Sequence, residues 1–179
     1  MRLIIEGVDK SGKSTLIETL KNKFPKAVQL KLMTKPYDSS QEETEKLFEV
    51  YTTMKEMTDK KDYVYIFDRY FQSELVYSYI RGNDRLATKE GKEFFENLEN
   101  ELERNTLVVL LEHPAKEVAK RFKKCKEDFV KEEDIEKLQK RYREVVENSK
   151  LPYIVLDTVE VGLSESVQII KNKIFNIIL

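Results

Sequence analysis

The residues best suited to chemistry form a glycine-rich loop near the start of the chain. Gly7-Val8-Asp9-Lys10-Ser11-Gly12-Lys13-Ser14 matches the pattern G-x-x-x-x-G-K-[ST]. Its glycines let the backbone approach phosphate oxygens closely, at a helix N-terminus whose dipole favours anions. We expect Lys13 to reach the β- and γ-phosphates and the Ser14 hydroxyl to bind Mg²⁺, so the loop indicates phosphoryl transfer or nucleotide hydrolysis. The residues assigned to it are Gly7, Val8, Asp9, Lys10, Ser11, Gly12, Lys13, Ser14 and Thr15.

A second pair of candidate residues, Asp68 and Arg69, follows the third short apolar run of the chain. An acid at the carboxyl end of a strand beside the phosphate loop is placed to hold a water of Mg²⁺. An arginine next to it can bind a transferring or acceptor phosphate. Taken alone, the pair has a less favoured alternative interpretation, as a helix cap and a surface cation.

The elements that must position these residues alternate along the chain. Five short runs, rich in β-branched or aromatic residues, have strand length; they cover residues 2–6, 27–32, 63–67, 106–111 and 153–156. Stretches with helical spacing separate them, after the loop and over residues 47–54, 69–81, 88–103, 114–124, 131–147 and 163–176. This alternation predicts an α/β fold of three layers around a five-stranded parallel sheet. Ligands bind beyond the carboxyl ends of such strands, where both candidate groups lie.

The length and composition favour a single domain spanning residues 1–179 and exclude several classes of protein. A formal net charge of −1 argues against a globally basic nucleic-acid binder. One cysteine and one histidine cannot form a disulfide framework, a structural zinc site or a haem attachment. With a short N-terminal apolar run and no membrane-length apolar stretch, we expect a soluble, cytoplasmic and unprocessed protein.

The type of phosphate-loop protein can be narrowed further. Base-specific GTPases carry a separate N-K-x-D element, and this tetrapeptide does not occur in the sequence. The chain is also short for motor or AAA-type ATPases, which have additional domains. Small-molecule kinases are the class that remains favoured.

Two segments together resemble the thymidylate kinases. Glu6 to Thr15 fits the family signature E-G-x-D-x-x-G-K-[ST]-T, and Asp68 to Ser73 fits D-R-[YH]-x-x-S. The resemblance spans nearly the whole chain, including a lid segment near 120–131 and the final strand with Asp157. It implies a P-loop kinase that uses ATP and Mg²⁺ to phosphorylate a deoxynucleoside monophosphate, most directly dTMP. Members are typically homodimers, which makes a dimer possible here.

The resemblance also implies roles for individual residues. Asp9 would contact the sugar or phosphate region of the acceptor, and Arg69 would bind the acceptor phosphate and the transferred group. Tyr70, Ser73 and Tyr77 would lie along the acceptor pocket. Asp68 would help to place Mg²⁺ together with Ser14.

Lys10 occupies the loop position where part of the family has a catalytic arginine. A cation there can neutralise charge on the transferring group, although lysine lacks the bidentate fork of arginine. The alternative is a solvated loop lysine.

The lid segment near 120–131 is strongly basic. Residues 120–126 include five cations, and kinases of this shape close such a lid over ATP to exclude water. Arg121 and Lys124 are the lid residues we assign to ATP binding. The alternative is that these cations form the solvent-exposed end of a charged helix. We expect Cys125 and His113, which have no catalytic partner nearby in sequence, to be structural.

The sequence departs from the family in one respect, since it has no arginine between Arg2 and Arg69. The family uses arginines in that stretch to bind the acceptor phosphate and to read the thymine carbonyl. Lys35 most nearly fills the first place, and Thr52 or Lys55 the second, counted from Phe48 as the base-stacking aromatic. The base preference of the acceptor therefore stays open.

Two other functions remain as alternatives. A deoxynucleoside kinase shares the architecture, but a sugar hydroxyl needs a general base, usually a carboxylate after the second strand. Lys35 stands there and Asp38 is the only nearby acid, which favours a monophosphate acceptor. A non-enzymatic nucleotide switch is disfavoured by the acid–arginine pair and the basic lid.

Overall fold

The five apolar runs form one parallel sheet, as the sequence predicts. In this computed structural model, which describes residues 1–31, 40–60, 62–125 and 134–178, the strands pair in the order β2-β3-β1-β4-β5. Their bounds are β1 Arg2–Glu6, β2 Ala27–Lys31, β3 Val64–Asp68, β4 Thr106–Leu111 and β5 Tyr153–Leu156. The three central strands are the most apolar because helices cover both of their faces.

Seven α-helices are present in the described residues, together with a short 3₁₀ helix at Arg85–Ala87. Their bounds are α1 Lys13–Lys23, α2 Gln41–Met57, α3 Phe71–Ile80, α4 Lys89–Leu102, α5 Ala115–Cys125, α6 Ile135–Glu147 and α7 Leu163–Ile178. None of the described helices is long and apolar enough to cross a membrane.

The sheet is the middle of three layers because side chains alternate across each strand. On β1, Leu3 and Ile5 pack with α1 and α7, whereas Ile4 faces the larger cluster that contains α2, α3, α4 and α6. Both clusters are dominated by branched aliphatic and aromatic side chains that are almost completely buried. The α/β/α sandwich expected from the sequence is therefore confirmed.

The register of the central strands brings the candidate residues to one edge of the sheet. Ile5 on β1 pairs with Asp68 on β3 and with Val109 on β4, so the strands end side by side. The glycine-rich loop and Arg69 consequently emerge next to each other, as parallel topology requires.

Several element bounds differ from the sequence prediction by a residue or more, and three of the differences bear on the site. β3 runs one residue further, because Asp68 pairs in the ladder with both neighbouring strands. α3 begins at Phe71 and not at residue 69, because Arg69 has a left-handed backbone with φ of 71°. The predicted lid and the start of the helix expected over 131–147 lie partly outside the described residues.

Candidate active site

The glycine-rich loop has a backbone that its two glycines make possible. Gly7 and Gly12 have φ values of 138° and 91°, in the left-handed region that other residues adopt only with strain. A Cβ on Gly7 would lie 2.5 Å from the Leu111 carbonyl oxygen, so β4 also excludes a side chain there. Lys10 also has a left-handed backbone, with φ of 64°. Because it is not a glycine, it adopts this conformation with strain.

Lys13 points back over this loop. Its Nζ donates to the Gly7 and Val8 carbonyl oxygens at 3.0 and 2.7 Å, and the residue is 7% exposed. Burial and the nearby Arg69 guanidinium lower the pKa of Lys13 to about 7, although nearby carboxylates, Asp9 foremost, oppose the shift. Because this pKa lies near neutral pH, an anion bound beside Nζ would strongly change the protonation of Lys13.

We predict that ATP binding at pH 8 takes up a proton on Lys13. A phosphate next to Nζ favours the charged amine, whereas much of the ligand-free protein is deprotonated above its pKa of about 7. Calorimetric titrations with Mg²⁺-bound ATP in Tris and in HEPES buffer should give observed enthalpies that differ by the number of protons taken up multiplied by the difference between the two buffer ionisation enthalpies. At pH 6, where Lys13 is already charged, the difference should disappear. Equal enthalpies at pH 8 would contradict the prediction.

Arg69 is the centre of a cluster built from three elements. Its Nη2 donates to Asp9 Oδ1 at 2.6 Å, and its Nη1 reaches Ser73 Oγ at 3.2 Å and Tyr77 Oη at 3.3 Å. The same Nη1 donates to Tyr142 Oη, and the guanidinium carbon lies 5.3 Å from the centre of the Tyr77 ring. The structure thus brings together the Asp9, Arg69, Ser73 and Tyr77 that the sequence assigned to the acceptor.

Glu6 lies behind this cluster and anchors it to β1. Its fully buried carboxylate accepts the Tyr70 backbone N–H at 2.8 Å and the Ser73 hydroxyl at 2.6 Å. Burial raises the pKa of Glu6, while Arg69, Ser73 and Tyr70 oppose the shift. The sequence prediction gave Glu6 no role beyond its place in the motif. It could have been identified as a charged residue at the end of a buried, apolar strand.

Tyr142 on α6 also had no assigned role. Its side chain is completely buried, its hydroxyl lies 2.9 Å from Ser73 Oγ, and its ring stands edge-on to Tyr77. A chain of hydrogen bonds therefore runs from Arg69 through Tyr142 and Ser73 to Glu6. Sequence periodicity alone cannot separate such a residue from an ordinary core tyrosine.

We predict that Tyr142→Phe lowers kcat/KM for the acceptor about tenfold, because a hydrogen bond to a charged group is lost beside the substrate. Tyr70→Phe is the matched control: Tyr70 is equally buried, but its hydroxyl donates to the Tyr51 carbonyl at 2.7 Å, away from Arg69. Both variants should lose about 1 kcal/mol of stability. Equal kinetic effects of the two substitutions would show that Tyr142 acts only through stability.

A cleft of about 730 Å³ opens beside the loop and is large enough for a nucleotide. Its walls come from the loop, from the ends of β2 and β3, from α5 and from the segment after β5; the polar residues include Asp9, Lys10, Lys13, Ser14, Thr15, Lys31, Asp68, Arg69, Arg121 and Thr158. Of the predicted acceptor residues, Asp9 and Arg69 therefore share this cavity with the predicted donor residues, whereas Phe48, Tyr70, Ser73 and Tyr77 are not among its lining residues.

The predicted Mg²⁺ ligands Ser14 and Asp68 both line this cleft. Ser14 is exposed at the start of α1, and Asp68 is 6% exposed with Lys31 Nζ 3.3 Å from its carboxylate. No cluster of three or more acidic, histidine or cysteine side chains suited to a metal occurs among the described residues. One hydroxyl and one carboxylate fit Mg²⁺, which retains most of its waters.

The described part of the lid reaches the loop through Arg121. Its Nη1 donates to the Lys10 carbonyl oxygen at 2.8 Å, so α5 is tied to the backbone that would surround the phosphates. The side chain of Lys124, and Lys35 as a whole, lie outside the described residues.

Two further predicted acceptor residues have other surroundings. Tyr70 is 2% exposed, and its ring packs against Phe67 and Tyr51 in the core. Phe48 on α2 stacks on Phe94, with ring centres 3.9 Å apart and an interplanar angle of 9°. These ring contacts, and the hydrogen bond from the Tyr70 hydroxyl to the Tyr51 carbonyl, involve no residue of the Arg69 cluster.

No model of a known protein family matches the chain, and no curated protein matches it significantly in sequence. Solved structures do share its fold. The YorR protein of Bacillus subtilis, in complex with phosphorylated GDP, is 25% identical with a TM-score of 0.78, over 97% of this chain and 95% of that one. The deoxyadenosine kinase of M. mycoides with dCMP and dCDP is 19% identical, with a TM-score of 0.63 over 99% and 100%.

The thymidylate kinase of Candida albicans is 18% identical, with a TM-score of 0.62 over 96% of this chain and 91% of that one. Two of these neighbours are kinases by name, and the chain shares the α/β fold of all three. Thymidylate kinase is one of several kinds of kinase among them. At these sequence identities the likeness establishes the shared fold.

Proposed function

We propose that this protein transfers the γ-phosphoryl group of ATP to a deoxynucleoside monophosphate, with dTMP as the first acceptor to test. The observation that carries the proposal is the cleft in which the loop with Lys13 and the cluster around Arg69 face each other. Two buried or half-buried cations at one cleft suit a reaction between two phosphate groups.

The charges around Arg69 favour a monophosphate over a sugar hydroxyl. A hydroxyl acceptor needs a general base, whereas a monophosphate is already anionic and needs cations. The two described carboxylates beside Arg69 are both engaged, Asp9 by the guanidinium and Glu6 by Ser73 and the Tyr70 N–H. An acceptor phosphate would join or replace the hydrogen bonds that the guanidinium makes to Asp9, Ser73, Tyr77 and Tyr142.

The loop is proposed to bind the donor. Backbone N–H groups at the start of α1 would hold the β-phosphate, and Lys13 would stabilise charge as the γ-phosphoryl moves. Lys10 and Arg121 would add positive charge around the same group, since Arg121 is bonded to the Lys10 carbonyl. These cations lower the barrier by matching charge that develops in the transition state.

Mg²⁺ would be held by the Ser14 hydroxyl and, through water, by Asp68. When bound, the ion neutralises charge on the β- and γ-phosphates and fixes their orientation. Lys31, whose Nζ lies 3.3 Å from the Asp68 carboxylate at the cleft, would help to orient that carboxylate.

The acceptor is proposed to bind with its phosphate against Arg69. Ser73 and Tyr77, which both contact Arg69, would line the sugar, and Asp9 would hold the guanidinium in place. Lys35 would add charge at the acceptor phosphate and Phe48 would stack on the base, as the resemblance implies; Tyr70 would support the pocket from the core. The matching signature in residues 68–73 is what makes dTMP the leading acceptor.

A deoxynucleoside kinase is the second candidate. Its support is the full-length likeness to the deoxyadenosine kinase of M. mycoides, whose TM-score equals that of the thymidylate kinase to within 0.01. The fold therefore does not distinguish the two activities. They can be distinguished only by measuring which acceptor the protein phosphorylates.

An ATP-consumption assay with Mg²⁺ tests the proposal on dTMP, dUMP, dCMP, dGMP, dAMP, thymidine and deoxyadenosine, with the Lys13→Ala protein as blank. We expect turnover on dTMP, and activity on another monophosphate would change the base preference alone. Turnover restricted to a nucleoside would overturn the monophosphate assignment. No turnover on any compound, with ATP binding intact, would favour a nucleotide switch.

A further inference from the structure

His113, the single histidine of the chain, has partners that the sequence did not reveal. It follows β4, and its side chain is completely buried. Its Nδ1 lies 2.5 Å from Asp157 Oδ1, a residue 44 positions away that follows β5. Its carbonyl oxygen accepts Gln139 Nε2 from α6 at 2.6 Å. His113 therefore connects the ends of two strands with α6.

The other ring nitrogen faces the phosphate loop. A Cβ placed on Gly12 would lie 3.8 Å from His113 Nε2, 3.7 Å from Thr158 Oγ1 and 4.0 Å from Arg121 Nη1. Nε2 is buried and has no hydrogen-bond partner among the described residues. A buried polar atom without a partner is costly, so its place against the loop calls for an explanation.

Asp157 determines which way the ring is oriented. Partial burial raises the pKa of its carboxyl, but hydrogen bonds from the Val159 N–H and from His113 outweigh this and hold the pKa below its usual range. A carboxylate can only accept, so the proton of a neutral imidazole sits on Nδ1 and leaves Nε2 as a bare acceptor. Thr158 Oγ1 and Arg121 Nη1, both able to donate, lie beside the same glycine.

The same carboxylate also shapes the segment after β5. Asp157 Oδ1 accepts hydrogen bonds from the backbone N–H groups of Val159 at 2.9 Å and Glu160 at 3.3 Å. The backbone carbonyl oxygen of Asp157 accepts a third from the Val161 N–H at 3.0 Å. Thr158, which this turn carries, lines the cleft together with the phosphate loop. One side chain thus links the turn to the imidazole under Gly12.

We propose that His113 is a positioning residue of the donor site. Its imidazole, oriented by Asp157, holds Gly12 at a fixed distance from the turn at residues 157–161, so that both walls of the donor cleft form one rigid unit. The proposal rests on the proposed function, because it takes the ligand of this cleft to be a nucleoside triphosphate. Binding of the donor then costs less conformational entropy, because the loop is already ordered.

His113→Asn is the decisive variant. Asparagine can place an N–H near the position of Nδ1 and keep the bond to Asp157, but it has no atom at the position of Nε2. We expect the dissociation constant and the KM for ATP to rise about tenfold, while the acceptor KM stays within about twofold. His113→Gln, which can place a polar atom near Nε2, should recover part of the loss.

Thr106→Val provides the matched control. Thr106 begins β4, whereas His113 follows its end, and both are fully buried with a side-chain atom that lacks a partner among the described residues. This control should leave ATP affinity unchanged. If His113→Asn binds ATP like the wild type, or if ATP and acceptor constants rise together, the positioning role is wrong.

A spectroscopic measurement separates this inference from the proposed function. With one histidine, the imidazole gives a single set of ¹H–¹⁵N signals, which should show the Nδ1–H tautomer and shift on ATP addition. The shift should saturate with the dissociation constant measured by calorimetry, and acceptor alone should leave the signals unchanged. ATP binding without any shift would overturn the role of His113, whereas a wild type that binds no ATP would overturn the proposed function itself.

Discussion

Lys13→Ala is expected to lower kcat by about a thousandfold or more, with dTMP as acceptor. The Nζ group lies over the loop, bonded to the Gly7 and Val8 carbonyl oxygens, and under the proposed function it would follow the γ-phosphoryl as it transfers. Its removal takes away positive charge where negative charge develops, so the effect should fall mainly on kcat. Initial rates of ATP consumption at saturating substrates measure it directly.

The same substitution should leave the ligand-free protein as stable as the wild type, or more stable. The folded pKa of about 7 lies below that of an exposed lysine, so between these values the unfolded chain binds a proton that the folded chain does not. Stability of the wild type should therefore rise with pH from about 7 upwards, and this slope should be absent in Lys13→Ala.

Lys23→Ala is the control for Lys13, because it removes an exposed lysine from the last turn of the same helix. It should change neither kcat nor the pH slope. A Lys13→Ala protein with a strongly reduced melting temperature would mean that the activity is lost through the fold. Retained turnover would remove the loop from the reaction.

The fold was accessible from the sequence because its signals are local. Each strand is a short apolar run between turns, and the predicted bounds of β1, β4 and β5 coincide with the structure. The loop motif also fixes which edge of the sheet binds phosphate, since it must join a strand to a helix. Asp68 shows the limit of such signals: its polar side chain suggested the end of a strand, but its backbone still pairs on both sides.

The parts of the site that the sequence missed depend on contacts between distant residues. Tyr142 meets Arg69 only because α6 packs against α3, and its helical spacing is that of any core residue. His113 and Asp157 meet because β4 and β5 are neighbours with aligned ends. Lys31 reaches Asp68 for the same reason, since β2 and β3 pair in register. Such partners follow from the topology and cannot be identified from residue types alone.

Arg69→Ala is expected to lower kcat/KM for the acceptor by about a thousandfold, while ATP affinity at pH 6, where Lys13 is charged in both proteins, stays within about twofold. The guanidinium donates hydrogen bonds to Asp9, Ser73, Tyr77 and Tyr142. Without it, an acceptor phosphate bound at this position would lose its main cation. Steady-state kinetics with varied acceptor, and calorimetry with ATP, measure the two effects separately.

Arg69→Lys separates charge from geometry. Lysine keeps the cation near Glu6 but lacks the fork that bonds Asp9 and Tyr142 at once, so kcat/KM should fall less than in Arg69→Ala and stability should change little. Arg69→Ala should also raise the pKa of Lys13, because the guanidinium contributes to lowering it, and so reduce the proton uptake on ATP binding at pH 8. An Arg69→Ala enzyme with normal acceptor kinetics would show that the acceptor binds elsewhere. Reduced proton uptake together with lost acceptor turnover would place Lys13 and Arg69 in one electrostatic unit, as phosphoryl transfer between their ligands requires.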